Sequence, residues 1–292
     1  MRIGRPTYLQ LISPTPGLVA QLKGRLLKPR YTVATVHVDQ YSGYEYVHLQ
    51  KGTTAAETLE GKKAFEMICE KSGVKVSNYH ADNGIFRANE WRREFTRQGQ
   101  GLTFSGVNAN HTNSLAERRI RSLQYLARSI LIDVHRKWGM PATASLWPHA
   151  MLMANDTLNQ TLNMRDECKR SPLQTFSNSV VQTNPKHWVP FGCPVYVLEF
   201  QNQKRTYNKW EYRSKVGSYL GRSRNYGRNI ALILNRDAGL VSPQFHVRMD
   251  PTFRSIDPSL GQQWITKAGL GAKTSRRRNI EHSDQKEVRC SS

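Results

Sequence analysis

Asp82 and Glu117 are the two carboxylates whose setting could do chemistry. Asp82 follows the run Val74–Ala81 (VKVSNYHA), which reads as a strand, and it opens an Asp-Asn-Gly turn. Ligands of open α/β sheets collect outside the carboxyl ends of the strands. Glu117 falls in the first turn of the strongest helix in the chain, beside its apolar stripe, with Arg121 four residues on along the same face. A carboxylate pair of this kind can hold a divalent cation, since Mg2+ takes one or two carboxylates together with phosphates and waters. Two such ions clamp the attacking and leaving oxygens of an in-line phosphoryl displacement. The residues alone also admit plainer readings: a first-turn Glu suits the helix dipole, and Asp-Asn-Gly is a common turn. His80 and His111 flank the pair and read equally well as hydrogen-bonded structural histidines or as catalytic ones.

The elements that must position these residues can be traced along the chain. Residues 1–31 are broken up by Pro14, Pro16, Gly17, Gly24 and Pro29. Thr32–Val38 and Tyr44–Leu49 read as a hairpin around a turn at Gly43. Thr54 caps a helix that runs to about Ser72, with Glu57 completing a capping box and Gly73 ending it. Residues 88–98 read as a polar helix, and Leu102–Phe104 as a short strand. Ala116, Ile120, Leu123, Ala127, Ile130 and Val134 form one apolar stripe over five turns, capped by Asn113 or Ser114. A further helix spans Leu146 to about Leu162. The resulting order is a mixed α/β layer arrangement. Trp138 and Trp147 bracket the junction of the last two helices and read as core. Residues 163–190 read as a linker. From 191 the chain changes to short β-like runs at Val195–Phe200, Val216–Leu220, Ile230–Leu234 and Phe245–Met249, the cadence of a small barrel or sandwich. Cys193 in this stretch reads as a buried thiol. Beyond about Arg254 the sequence is polar and aperiodic and reads as disordered; its Arg276-Arg277-Arg278 is a weak signal for a nuclear address.

Composition narrows the function. Lys and Arg number 43 against 22 Asp and Glu, a net charge of +21 spread over all parts of the chain. Such an excess attracts polyanions. No run of 18 apolar residues is present, which excludes a membrane-spanning helix, and the N-terminus has no secretory h-region. The four cysteines (Cys69, Cys168, Cys193, Cys290) lie far apart with no CxxC, against a structural zinc site or a disulfide framework. Between 204 and 228 stand Lys204, Arg205, Lys209, Arg213, Lys215, Arg222, Arg224 and Arg228 with Glu211 the only acid, interleaved with Tyr207, Trp210, Tyr212, Tyr219 and Tyr226. Basic groups release counterions from phosphates and aromatic faces stack on bases; the alternative is that the aromatics fill a small β core. Arg118, Arg119, Arg121 and Arg128 cluster near Glu117 and can follow a DNA backbone. No base-reading motif is present, so binding is expected to be largely independent of sequence.

Several separated motifs, in order, resemble one family. HADNGIF at 80–86, FSGVNANHTNSLAERRI at 104–120 and VHVDQYSGYEYV at 36–47 resemble the integrase core of copia-type retrotransposons and retroviruses. ANDTLN at 154–159, SPLQTF at 171–176, FGCPVYVL at 191–198, KVGSYLGRS at 215–223 and GLVSPQFHVRMDPTF at 239–253 resemble the segment that follows the copia core. The resemblance implies an α/β chain: an RNase H-like mixed sheet with flanking helices over 1–165, a linker over 166–190, a small β-rich SH3-like domain over 191–254 and a basic tail over 255–292. It implies metal-dependent polynucleotidyl transfer with Mg2+ or Mn2+, Asp82 and Glu117 as the second and third acids of a three-carboxylate site, and DNA (element ends and target) as the partner. It implies a nuclear location and no membrane partner, and leaves room for a homo-oligomer. Arg118, Arg121, Arg128, Lys209, Arg213, Lys215, Arg222 and Arg224 are the candidate nucleic-acid contacts. The family's first acid lies on the strand preceding the hairpin, which here would be Tyr8–Ile12, and its position reads Leu9. No Asp or Glu precedes Asp39, which sits at the far end of the next strand, and Ser114 stands where the family usually has Gly. A leucine in place of a charged ligand removes coordination, so impaired strand transfer is expected. The alternative is a catalytically dead DNA-binding or assembly protein derived from an integrase.

Overall fold

The computed structural model describes residues 7–12, 31–82, 84–106, 114–138, 144–164, 168–180, 188–198, 212–227, 229–236 and 238–256; for residues 7–12, 114 and 144 it describes the backbone. The β-branched run becomes β2 (Val33–Asp39), which returns as β3 (Glu45–Gln50). Gly43 in the connecting turn has φ +70°, which a residue without Cβ adopts freely. Thr54 caps α1 (Ala55–Lys71) by accepting the Glu57 N–H at 3.3 Å. The expected capping box is only half formed, because the Glu57 carboxylate turns outward and accepts the Gly52 N–H at 2.8 Å. The strand expected from Val74 shortens to β4 (Asn78–Ala81), since the Val74 N–H is used to close the end of α1 on Cys69 C=O. Next come α2 (Asn89–Gln98), β5 (Gly101–Phe104), the long α3 (Ser114–Trp138) and α4 (Trp147–Gln160).

The strand that leads this order is β1 (Thr7–Ile12), and it lies in the middle of the sheet. The order is β3-β2-β1-β4-β5, with β1 antiparallel to β2 and parallel to β4, and β4 parallel to β5. Every residue of β2 is buried, as expected of a strand covered on both faces. Ala34, Val36 and Val38 pack on one face with the α3 stripe (Ile120, Leu123, Ala127) and with α4. The other face carries Tyr79 and Ala81 of β4, packed with Phe65, Trp91 and Phe95 of α1 and α2. Lys62 of α1 is fully buried beneath β4, paired with Glu66 at 2.9 Å and lying over the Tyr79 and Phe95 rings.

The expected linker contains a helix, α5 (Pro172–Ser177), with a true capping box between Ser171 and Gln174; its Phe176 stacks on Tyr44. The β-like runs after 191 form a second five-stranded sheet, all antiparallel, in the order β10-β6-β7-β8-β9. Its strands are β6 (Pro194–Leu198), β7 (Ser214–Arg222), β8 (Ala231–Asn235), β9 (Val241–Gln244) and β10 (Val247–Met249), of which β9 carries no strand signal in the sequence. Cys193 is fully buried, and burial pushes its thiol up to about 12. This sheet shares a core with α3 and α4, as Phe191 and Leu220 belong to the same cluster as Ile120 and Met151. The Trp138 indole N–H donates to Gly192 C=O at 2.6 Å, and the Arg236 guanidinium lies 3.6 Å over the Trp138 ring. Gly192 is held to glycine twice over: its φ is +74°, and a Cβ would stand 2.4 Å from Val134. Residues Met1–Thr252 form one compact unit. A second, Phe253–Ser292, is described only through a 3-10 turn at Arg254–Ile256; Arg276–Arg278 lie outside the described residues. Among the described residues no helix is long and apolar enough to cross a membrane.

His37 of β2 is fully buried and stacks on Phe65 at 5.0 Å, and neither ring nitrogen has a hydrogen-bond partner. Burial, aided by the neighbouring His48 and Lys62, lowers its imidazole to about 3. Between pH 6.5 and 3 the unfolded chain therefore takes up a proton that the native state refuses, and stability falls as pH drops through that window. Replacing His37 with Phe removes this term. Urea denaturation should show the variant gaining about 2 kcal/mol more, relative to wild type, at pH 5 than at pH 8.

Candidate functional site

Parallel pairing with β1 carries β4 to its end at Ala81, and Asp82 follows at once, half-buried. Its Oδ1 accepts the Gly84 N–H at 3.2 Å, the turn hydrogen bond expected of Asp-Asn-Gly. Tyr79 and Ala81 face α1 and α2, so alternation sets His80 on the opposite, α3 side, with Asp82 next in line. Glu117 is half-buried in the first turn of α3, which lies against β1 and β2. The structure thus brings the helix bearing Glu117 onto the strand that neighbours Asp82. β1, which lies between β2 and β4, carries no carboxylate.

The ladder refines the position expected for a first acid. Leu9 is opposite His37 on one side and Ala81 on the other, and both of these residues belong to the α1–α2 face. Gln10 is opposite Val36, which packs with α3. By register Leu9 thus pairs with residues of the α1–α2 face and Gln10 with a residue of the α3 face. Asp39, the first acid along the chain, lies opposite Thr7 near the other end of β1. Its Oδ2 accepts from the Ser42 N–H and hydroxyl, so it serves the hairpin turn.

A buried ion pair pins the start of α3. Arg119, two residues from Glu117, reaches the hairpin and stands 3.5 Å from Glu45 Oε1. It passes directly over Gly43, where a Cβ would meet the guanidinium at 2.2 Å. Glu45 is fully buried, and neither carboxylate oxygen has a hydrogen bond. Its backbone is clamped by Asn159 of α4, which accepts from its N–H at 2.8 Å and donates to its C=O at 2.7 Å. The sequence signals neither Glu45 nor Asn159, because a residue 114 positions away completes the contact. Arg119 was expected to follow DNA, and the fold turns it inward instead. Its neighbours Arg118, Arg121 and Arg128 point to solvent, with Tyr125 (63% exposed) among them. At spacings of three and four they make one exposed stripe along α3.

No protein-family model matches the chain, and no curated protein matches it. Among solved structures the chain is similar to the HTLV-2 integrase catalytic core domain in complex with magnesium. The trimeric form is 22% identical over 60% of this chain and 97% of that one, with a TM-score of 0.41. The dimeric form is 19% identical over the same shares, with a TM-score of 0.40. The chain is also similar to the simian T-cell lymphotropic virus intasome in complex with PP2A regulatory subunit B56 gamma, at 18% identity over 85% of this chain and 78% of that one, with a TM-score of 0.43.

The basic residues of the second sheet divide into two groups. Arg213 and Lys215 are exposed at the start of β7, beside exposed Tyr212. Arg224 donates to Asp156 of α4 at 3.0 Å and so ties this sheet to that helix. Arg222 lies at the exposed end of β7. Tyr219 is buried in the sheet, whereas Tyr226 is 60% exposed. Lys209 and His111 lie outside the described residues. Among the described residues no three of His, Cys, Asp and Glu come together as a metal-holding group.

Burial raises the Glu45 carboxyl to about 7 against the opposing pull of Arg119. The native state then holds a proton that the unfolded chain has released, so stability is fully present below pH 4.5 and declines as pH rises through about 7. Replacing Glu45 with Gln should abolish that decline. Denaturation at pH 5 and pH 8 should show the wild type losing about 2 to 3 kcal/mol more than the variant between the two.

Proposed function

We propose that this chain is a copia-type integrase derivative: a nucleic-acid-binding protein of RNase H-like fold whose polynucleotidyl transfer is impaired. The observation that carries the reading is β1 itself. It is the central strand, it adjoins both Asp82 and the helix of Glu117, and neither Leu9 nor Gln10 on it is an acid. The order and directions of the strands, with the acid-bearing helix laid over β1 and β2, support the RNase H-like assignment. The small antiparallel sheet after residue 191 supports the SH3-like one. By resemblance the protein would act on DNA in the nucleus, with element ends and target DNA as its substrates.

The donor set suits a single hard dication. Asp82 and Glu117 offer carboxylate oxygens, both half-buried, and Asp82 spends one oxygen on a single backbone N–H. Mg2+ or Mn2+ needs no more than one or two carboxylates from the protein. It would supply charge neutralisation at the phosphodiester and a lowered pKa for bound water. A three-carboxylate arrangement has no third acid on β1 to complete it. The chain's own residues orient the rest: Arg119 and Glu45 fix the start of α3, and Arg118, Arg121 and Arg128 present cations to a phosphate backbone. Uncoordinated, Gln10 offers an amide oxygen without charge, which binds a dication far less well than a carboxylate.

Two measurements test this reading. In a Mg2+-dependent 3′-processing and strand-transfer assay, the purified chain should give little or no product. Gln10→Asp should raise product formation more than Leu9→Asp; robust wild-type activity overturns the claim of impairment. Catalysis absent in both, with DNA binding intact, favours a purely DNA-binding or assembly role, which the missing third acid already supports. Duplex DNA binding should fall steeply with salt. Replacing Arg118, Arg121 and Arg128 together with Ala should flatten the slope of log K against log salt by about 2 to 3. A slope that is flat in the wild type removes the nucleic-acid reading.

A further inference from the structure

The outer face of α3 carries an aromatic ring that the fold leaves open. Tyr125 is 63% exposed. It stands two residues past fully buried Leu123, about 200° round the helix, and so points away from the stripe that seats α3. Among the described residues its hydroxyl has no hydrogen-bond partner, and no ring or cation lies against its face. Arg121 stands one turn before it and Arg128 one turn after, both exposed. Among the described residues neither guanidinium has a carboxylate partner, unlike Arg119 on the inner side. From Arg118 to Ile132 the chain holds no Asp or Glu.

A single surface ring needs no explanation, but a ring set between two unpaired cations on an acid-free stripe does. The possible occupants differ in how much of this surface they use. Duplex DNA turns its phosphates outward and keeps its base faces stacked on one another, so it would engage the arginines and leave the ring idle. An acidic peptide would do the same. A second copy of α3 would set arginines against arginines, which repel. An unpaired DNA strand uses all three side chains, because its phosphates draw the guanidinium groups and its bases have free faces. We propose that Tyr125 is a stacking platform for a base of an unpaired DNA strand, with Arg121 and Arg128 holding the phosphates on either side. The platform lies on the same rigid helix as Glu117, eight residues and about 12 Å along the axis, so a strand following Arg128, Tyr125 and Arg121 runs toward that carboxylate. This rests on the reading of the stripe as a phosphate-backbone contact, and it adds to that reading the state of the strand and the residue that senses it.

Fluorescence anisotropy of the full chain, without metal, tests this with an oligothymidylate and with a hairpin duplex of the same number of phosphates. Tyr125→Leu keeps an apolar side chain and is the better helix former, so it removes the π face without loosening α3. It should weaken oligothymidylate binding about tenfold and leave duplex binding within about twofold, with the salt dependence unchanged because no charge is lost. Tyr125→Phe should bind as the wild type does. A 2-aminopurine within the oligothymidylate should be quenched on binding to the wild type and to Tyr125→Phe, and not to Tyr125→Leu. Unchanged oligothymidylate affinity in Tyr125→Leu, or an equal loss on the duplex or on polyglutamate, overturns the stacking role. Arg121→Ala combined with Arg128→Ala should weaken both DNA forms and lower the slope of log K against log salt on the single strand by about 1.4. If that double variant binds both forms as the wild type does, the phosphate-contact reading of the stripe fails and this inference fails with it. If it weakens both while Tyr125→Leu changes neither, the backbone contact stands and the stacking role alone is refuted.

Discussion

The central position of β1 is the constraint from which the rest of the molecule follows. It joins an antiparallel hairpin on one side to a parallel pair on the other. Without it β2 and β4 would each lose a hydrogen-bonded neighbour, and α3 one of the two strands it lies against. Six residues, Thr7–Ile12, therefore join the hairpin to the strand that leads into Asp82. The same six residues contain no carboxylate. A strand retained for its hydrogen bonds while lacking a carboxylate is what separates the architecture of the site from its chemistry.

Two devices hold the flanks of that strand, and they differ in physical kind. On one side a fully buried carboxylate, Glu45, draws Arg119 over Gly43 and so anchors α3 to the hairpin. This pair is expensive to bury, and the raised affinity of Glu45 for its proton measures the cost. On the other side a neutral chain of hydroxyls and an imidazole ties β4 to β5 at little electrostatic cost. An ion pair tolerates small displacements because Coulomb attraction falls off slowly, whereas hydrogen bonds are directional. The helix is held in place by charge and the strand ends by direction.

The second sheet is part of the same body. Trp138, Gly192 and Arg236 form a contact in which the indole is bonded at its edge and covered by a guanidinium on its face. Arg224 and Asp156 add a second tie. The shared core explains why not every cation on this sheet is available to a polyanion. Arg224 has a carboxylate partner from α4.

Much of the fold was legible along the chain. The α3 stripe, the hairpin around Gly43 and the helix ended by Gly73 are local patterns of period, turn and cap, and local patterns are written in consecutive residues. Asp82 and Glu117 could be singled out for the same reason, one at a strand end and one in a first helical turn. The excess of cations, too, is a property of composition. Other features required the tertiary structure because they join residues that the sequence separates. That β1 belongs in the middle of the sheet, and which of its residues pair toward α3, depend on strand pairing and register, which one residue of slip reverses. Arg119 looked like its neighbours Arg118 and Arg121 in sequence and was turned inward by Glu45. The hydroxyls that meet the His80 ring, from Thr103 and Ser105, come from more than twenty residues away. Sequence determined which groups were present and in what local setting; folding alone chose their partners, because hydrogen bonds and buried charges are satisfied in space and not along the chain.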